Sequence, residues 1–243
     1  MRTFTAIILI GLLIFGLACS DDPVSSTTIT GSHSLITASR DLPDFSAIKN
    51  RLDADITLRV GPEQEVKITV DDNIADYIVL SVTTSGELVI RTALDVELSD
   101  YDLTLDISMQ NLTAIRQFGK GVITNDVALN LDDLEIIMAG EGTIDLDLNA
   151  ENIETTFNGD GDIILNGYAE SHTCNQTGTG NLHAFDLETL ETEIALGGTG
   201  YAEVYAVENL AVAFANACCL YYKGTPEIDQ SGSGSGNIVD SNP

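Results

Sequence analysis

An all-β parallel solenoid of roughly seven coils, entered through a region of separate β-strands, is the fold this sequence predicts. Three observations predict it. Gly-x-Gly pairs recur through the second half at steps of 18 to 21 residues, apolar residues keep register with those pairs, and the mature chain has no sustained 3.6-residue apolar period. One such repeat cannot close a core alone, but coils stacked about 4.8 Å apart pair each backbone with the next.

Read in order, the chain opens with the parts of an export signal: Arg2 supplies the charge, Ala6 to Leu17 the apolar run, and Gly16-Leu17-Ala18 a small-residue cleavage context. The run is too short to span a bilayer comfortably as a helix. Leu17-Ala18-Cys19 resembles the lipobox of bacterial lipoproteins, with Gly16 where that motif usually has Leu. The resemblance implies removal of residues 1–18 and acylation of Cys19, two or more acyl chains being enough for stable anchoring in a lipid bilayer. Ser20-Asp21-Asp22 resembles a surface-export signal of outer-membrane lipoproteins, so an outer-membrane, surface-exposed location is expected. Residues 19–37, rich in Ser, Thr, Gly and Asp, read as a flexible tether.

The folded domain is expected over residues 38–240, with N-terminal strands in 38–108 and repeats in 109–240. Period-two alternation predicts half-buried strands at Ala54 to Val60, Val66 to Val70 and Tyr101 to Ser108. Ile78 to Val82 and Leu88 to Arg91 flank a small polar turn at Thr83 to Glu87, which predicts a hairpin. Asp72 to Tyr77 is the nearest approach to a helix and is too short to change the class. In the repeats, glycine pairs stand at 119/121, 140/142, 159/161, 178/180, 198/200 and 234/236, with Asn216/Cys218 in the remaining slot. Side chains alternate between faces, so the glycines share the inward face with columns such as Ile123, Ile144, Ile163 and Leu182. They are expected where opposite walls pinch together or the backbone bends.

The glycine coils, the opening Arg40 to Ile48, the stretch Tyr222 to Pro226 and the ending Ser231 to Ile238 together resemble the head GIN domain family of auto-transporter adhesins. The match covers about residues 38 to 240. The resemblance implies a right-handed β-helix in a secreted or lipid-anchored envelope protein, serving as an adhesin-like binding or structural module. No catalytic residues come with it. Asn216 and Cys218 depart from the glycine pattern, and no C-terminal barrel strands follow the repeats.

Charge narrows the function. The chain holds 38 Asp plus Glu against 10 Lys plus Arg, and the 102 residues between Lys120 and Lys223 contain 18 carboxylates and no Lys or Arg. Nucleic-acid binding by that stretch is excluded. Gly-x-Gly as a phosphate loop fails because no helix or cation follows it. Of the cysteines other than Cys19, Cys174 falls in a core column, while adjacent Cys218 and Cys219 point to opposite faces; no disulfide is expected. His172 and Cys174 share a face but have no second pair at ligand spacing, so no zinc, no other metal and no cofactor is expected. Glu141, Asp160 and Asp162 could stack for calcium, but lack the repeated Asp of the calcium-binding nonapeptide and read as a solvated face. A carbohydrate-active β-helix enzyme using surface carboxylates is the competing class, disfavoured because even coil spacing leaves no insertions to wall a cleft. Phe185 and Tyr205 are expected in one outward column of neighbouring coils, with His183, Tyr201 and Tyr221 beside them, as a patch for a glycan or protein ligand. The alternative is that the N-terminal strands cover this patch. Assembly of identical subunits through the solenoid ends is a further expectation.

Overall fold

The computed structural model describes residues 27–243. Residues 1–18, read as an export signal, and Cys19 lie outside the described residues. Alternating and β-branched stretches of the first half form β1 (Thr27–Thr30), β2 (Leu35–Arg40), β3 (Ala47–Asn50), β4 (Asp55–Val60), β5 (Glu65–Asp71), β6 (Ile78–Val82), β7 (Glu87–Thr92), β8 (Val96–Ser99) and β9 (Leu103–Met109). The expected hairpin is β6 and β7, paired antiparallel around Gly86 at φ +76. The helical candidate contributes only a 3-10 turn at Ala75–Tyr77.

The repeats carry β10 (Ala114–Gln117), β11 (Val122–Asn125), β12 (Leu129–Asn130), β13 (Asp133–Met138), β14 (Thr143–Phe157), β15 (Asp162–Gln176), β16 (Asn181–Leu196), β17 (Ala202–Phe214), β18 (Cys219–Lys223), β19 (Glu227–Gly232) and β20 (Asn237–Asp240). Every coil pairs with the next in parallel, and the registers reproduce the spacing of the glycine pairs: Gln117 opposes Met138, Phe157 opposes Gln176, and Leu182 opposes Ala202. The result is a β-solenoid of about seven turns.

Two features of the first half differ from expectation. Residues 27–37, read as part of the tether, form β1 and the first half of β2; β1 lies parallel to β8, and β2 antiparallel to β5. Their polar composition hides this, because partners distant in sequence supply the hydrogen bonds while Ile29 and Ala38 pack on the core. The N-terminal strands also extend the solenoid rather than standing apart. β3 pairs in parallel with β10 and β7, with Ile48 opposite both Ile115 and Leu88. β4 does the same with β11 and β9, placing Ile56 against Ile123 and Leu105. Antiparallel β5 then lines β9, and β6 lines β7, closing that end. One continuous hydrophobic core runs from Phe45 to Leu220.

The glycine columns have a cause other than the expected pinch of opposite walls. A Cβ on Gly159 would stand 2.3 Å from the carbonyl oxygen of Gly140, one on Gly178 2.0 Å from that of Gly159, and one on Gly161 1.9 Å from that of Gly142. Those carbonyls also accept the ladder bonds of the next coil: Asp160 N–H to Gly140 O at 3.1 Å, and Asp162 N–H to Gly142 O at 3.2 Å. The stacking neighbour's backbone thus occupies the space of a side chain. None of these paired glycines has φ in the left-handed region; the glycines with positive φ are Gly86, Gly167, Gly224 and Gly232, outside the columns. Buried amides serve the same turns. Asn50 Nδ2 donates to Leu52 O and to Gln117 Oε1, both at 2.9 Å, and Gln117 Nε2 donates to Gly121 O at 2.9 Å.

A buried imidazole sits in the core. His172 is 1% exposed, in the column of Ile153, Thr192 and Leu210, and its Nε2 lies 3.0 Å from the Thr155 hydroxyl. Burial lowers its pKa to about 4, so the folded chain keeps the imidazole neutral.

Two outcomes are expected. Gly159→Ala should lower stability by about 1 to 3 kcal/mol in urea unfolding, whereas the outward Asp160→Ala should stay within about 0.5 kcal/mol; equal midpoints would contradict the stacking contact. For His172, the unfolded imidazole takes a proton below its ordinary pKa while the folded one resists until about 4. Stability is therefore lost progressively as pH falls through that window. Between pH 7 and pH 5 the native chain should lose about 2 kcal/mol more than His172→Leu, read as the difference between their urea midpoints across pH. Parallel pH profiles would refute it.

Candidate functional site

The strands following each glycine pair turn one face to the core and the other to solvent, and on β15 to β18 the outer face gathers aromatic side chains. His183 and Tyr201 meet edge to face at 5.4 Å, and Tyr201 meets Tyr221 in the same way at 6.0 Å. Acids frame the row. His183 Nδ1 lies 3.0 Å from Glu203 Oε2, and Nε2 lies 3.8 Å from Asp162 Oδ1. Burial raises the Tyr201 pKa, with Glu203, Asp162 and Tyr221 adding to it, so its hydroxyl remains a hydrogen-bond donor. Lys223, the single Lys or Arg after Lys120, stands 4.6 Å from the centre of the Phe185 ring and 4.0 Å from Asp186 Oδ1.

Phe185 and Tyr205 do not share a column, contrary to expectation. Ala184 opposes Val204, but the next registered pair is Glu188 with Tyr205, so residues 185–187 have no partner on β17, although Asp186 and Leu187 stay paired with Asn166 and Gly167 of β15. The register shifts put Tyr168, Glu188, Tyr205 and Lys223 into one continuous column across four coils. Tyr168 escaped the sequence reading because a constant step of 19 assigns it to Leu187. The step of 20 between Gly178 and Gly198 was the available signal for the inserted residue. An open depression of about 350 Å³ adjoins the column, lined by Tyr205, Val207, Lys223, Gly224, Thr225 and Asn242. Phe185, Tyr201, Tyr205 and Tyr221 are all half-buried. The N-terminal strands do not cover them, since β3 and β4 stack on β10 and β11 at the far end of the coil stack.

The remaining candidate groups are placed as follows. Glu141 pairs with Lys120 at 2.9 Å, and Asp160 accepts the Thr179 hydroxyl at 2.5 Å, so the acidic column considered for calcium is served by its neighbouring coils. Asp126 is held below the ordinary carboxylate range by Arg59, and Asp240 by the Asn242 backbone N–H. That direction is opposite to the need of a general acid. Cys174, Cys218 and Cys219 are free thiols. Burial pushes Cys174 up to about 12 and raises Cys218, which makes both poor nucleophiles. Among the described residues, no helix is long and apolar enough to cross a membrane.

Comparison with known proteins places this geometry. The family described as "Putative auto-transporter adhesin, head GIN domain" matches residues 44–226. A crystal structure of a putative adhesin from Bacteroides fragilis is 25% identical, with a TM-score of 0.81 over 87% of this chain and 99% of the other. A putative lipid binding protein from Parabacteroides distasonis shares the fold at 23% identity and a TM-score of 0.75, over 88% and 99% of the two chains. A putative adhesin from Parabacteroides merdae shares it at 18% identity and a TM-score of 0.66, over 88% and 98%. No curated protein matches the chain.

Proposed function

The chain belongs to the head GIN domain family of auto-transporter adhesins, and from that premise we propose a binding module held at the bacterial outer membrane by lipid on Cys19, with the aromatic column as its glycan-binding face. Cys19 supports the anchoring because an apolar run and small residues precede it. The observation that carries the binding reading is the column Tyr168, Glu188, Tyr205 and Lys223 with Phe185 against the lysine. Aromatic rings with a polar edge stack on the C–H faces of sugars. Glu188 and Asp186 can accept sugar hydroxyls, and Lys223 donates to them or to a sugar carboxylate.

Two measurements test these readings. On a glycan array and in cell-adhesion assays, Tyr168→Ser/Tyr205→Ser should bind about tenfold or more weakly while keeping the native urea midpoint, as expected for loss of aromatic hot spots. Unchanged binding by the folded double variant would remove the function from this face. For the anchor, Cys19→Ser should lose metabolic acyl label and move from the detergent phase to the aqueous phase. Undiminished label in that variant would contradict lipidation.

A further inference from the structure

At the end of the solenoid opposite the aromatic face, three segments distant in sequence bring acids together around one imidazole. His33 lies in the turn between β1 and β2, Asp71 ends β5, and Asp102 immediately precedes β9. Ligand atoms from these three side chains all lie within 4.8 Å of one another. His33 Nδ1 is 3.1 Å from Asp102 Oδ2, and its Nε2 is 3.6 Å from Asp100 Oδ2. Asp71 is fully buried; its Oδ2 accepts the Asp102 backbone N–H at 3.0 Å, and its Oδ1 is buried with no hydrogen-bond partner. Among the described residues, no Lys or Arg forms an ion pair with Asp71, Asp72, Asp100 or Asp102. A buried carboxylate oxygen without proton, donor or cation carries a large desolvation cost.

The surrounding chain is built to hold the three donors. Ser32 Oγ donates to Asp72 Oδ1 at 2.6 Å and Ser32 N–H to Asn73 Oδ1 at 3.0 Å, while Asn73 Nδ2 donates to Thr30 O at 2.8 Å. Gly31 lies so close that a Cβ there would stand 2.2 Å from Asp71 Oδ2. The imidazole and Asp102 remain exposed, leaving an open side for entry and for water ligands.

We propose that His33, Asp71 and Asp102 form a binding site for a divalent cation of the zinc class, which fastens the N-terminal strands to the end of the solenoid. One imidazole nitrogen with two carboxylates suits a borderline ion such as Zn2+, whereas Ca2+ takes oxygen ligands. The cation supplies the missing partner of the buried Asp71 and links the β1–β2 turn to β5 and to the approach to β9.

The test is calorimetric titration and thermal unfolding of the purified full-length chain, freed of metal by chelation, with Zn2+ and Ca2+ added separately. The unmodified chain and His183→Asn should each bind one equivalent of Zn2+ and unfold at a higher temperature with it. His33→Asn and Asp102→Asn should lose both effects. Asn suits the φ of +56 at His33, so that variant keeps its backbone. Absence of Zn2+ binding in the unmodified chain would overturn the site. Full Zn2+ binding by a folded His33→Asn chain would place the ion elsewhere, and binding of Ca2+ in place of Zn2+ would overturn the assignment of the cation.

Discussion

Direct contact between stacked backbones at the glycine turns is the constraint on which the rest of this protein depends. In a hairpin turn the chain leaves the ladder and its amides face water. Here the turns themselves stay in the ladder, so that Gly180 N–H reaches Gly159 O and Asn181 N–H reaches Gly161 O, both at 3.2 Å. The cost is that no side chain fits between them, which fixes glycine at two positions per coil. The benefit is an uninterrupted column of parallel pairing with Ile, Leu and Phe locked in register beneath it. Where the pair becomes Asn216 and Cys218, the Asn216 amide takes over by donating to the Gly197 carbonyl.

Fixing the interior leaves the outer columns free to differ from coil to coil, and charge follows that freedom. Arg116 reaches Glu87 and Glu135 on different strands, and Arg59 grips Asp126 in a forked pair, so the basic residues near the N-terminal end tie coils together. Farther along, polar ladders do this work, with Asn152 donating to Asp133 and Ser171 donating to Asn152. The last strands are fully or largely exposed and carry Asp229, Gln230 and Asp240, a polar edge that discourages further strand addition. Aromatic groups, by contrast, are concentrated on the face that begins at β15, beside the only late cation.

What the sequence made legible was whatever the stacking constraint repeated. The glycine pairs revealed the solenoid, and Ile123, Ile144 and Ile163 revealed its inner face, because each coil states the same requirement again. What occurs once was hidden. The pairing of β3 with β10 crosses 67 residues and carries no repeated signature. The register shift between β16 and β17 displaced Tyr205 from Phe185, and the residue inserted between β15 and β16 concealed Tyr168. His33 lay in a segment whose Ser, Thr and Gly content is also that of a tether, and Asp71 looks like any acid at a strand end until β9 and the β1–β2 turn bury it. Local composition reports local preference, whereas these positions are decided by tertiary partners.

Amide hydrogen exchange resolved to single residues tests the central claim most directly, because it reads the backbone bonds at the turns themselves. If stacked turns hold the solenoid, the N–H groups of Asp160, Gly180 and Asn181 will exchange as slowly as those in the middle of β14 and β15. Exchange of these turn amides at the rate of solvent-exposed loops, with the strands still protected, would contradict it.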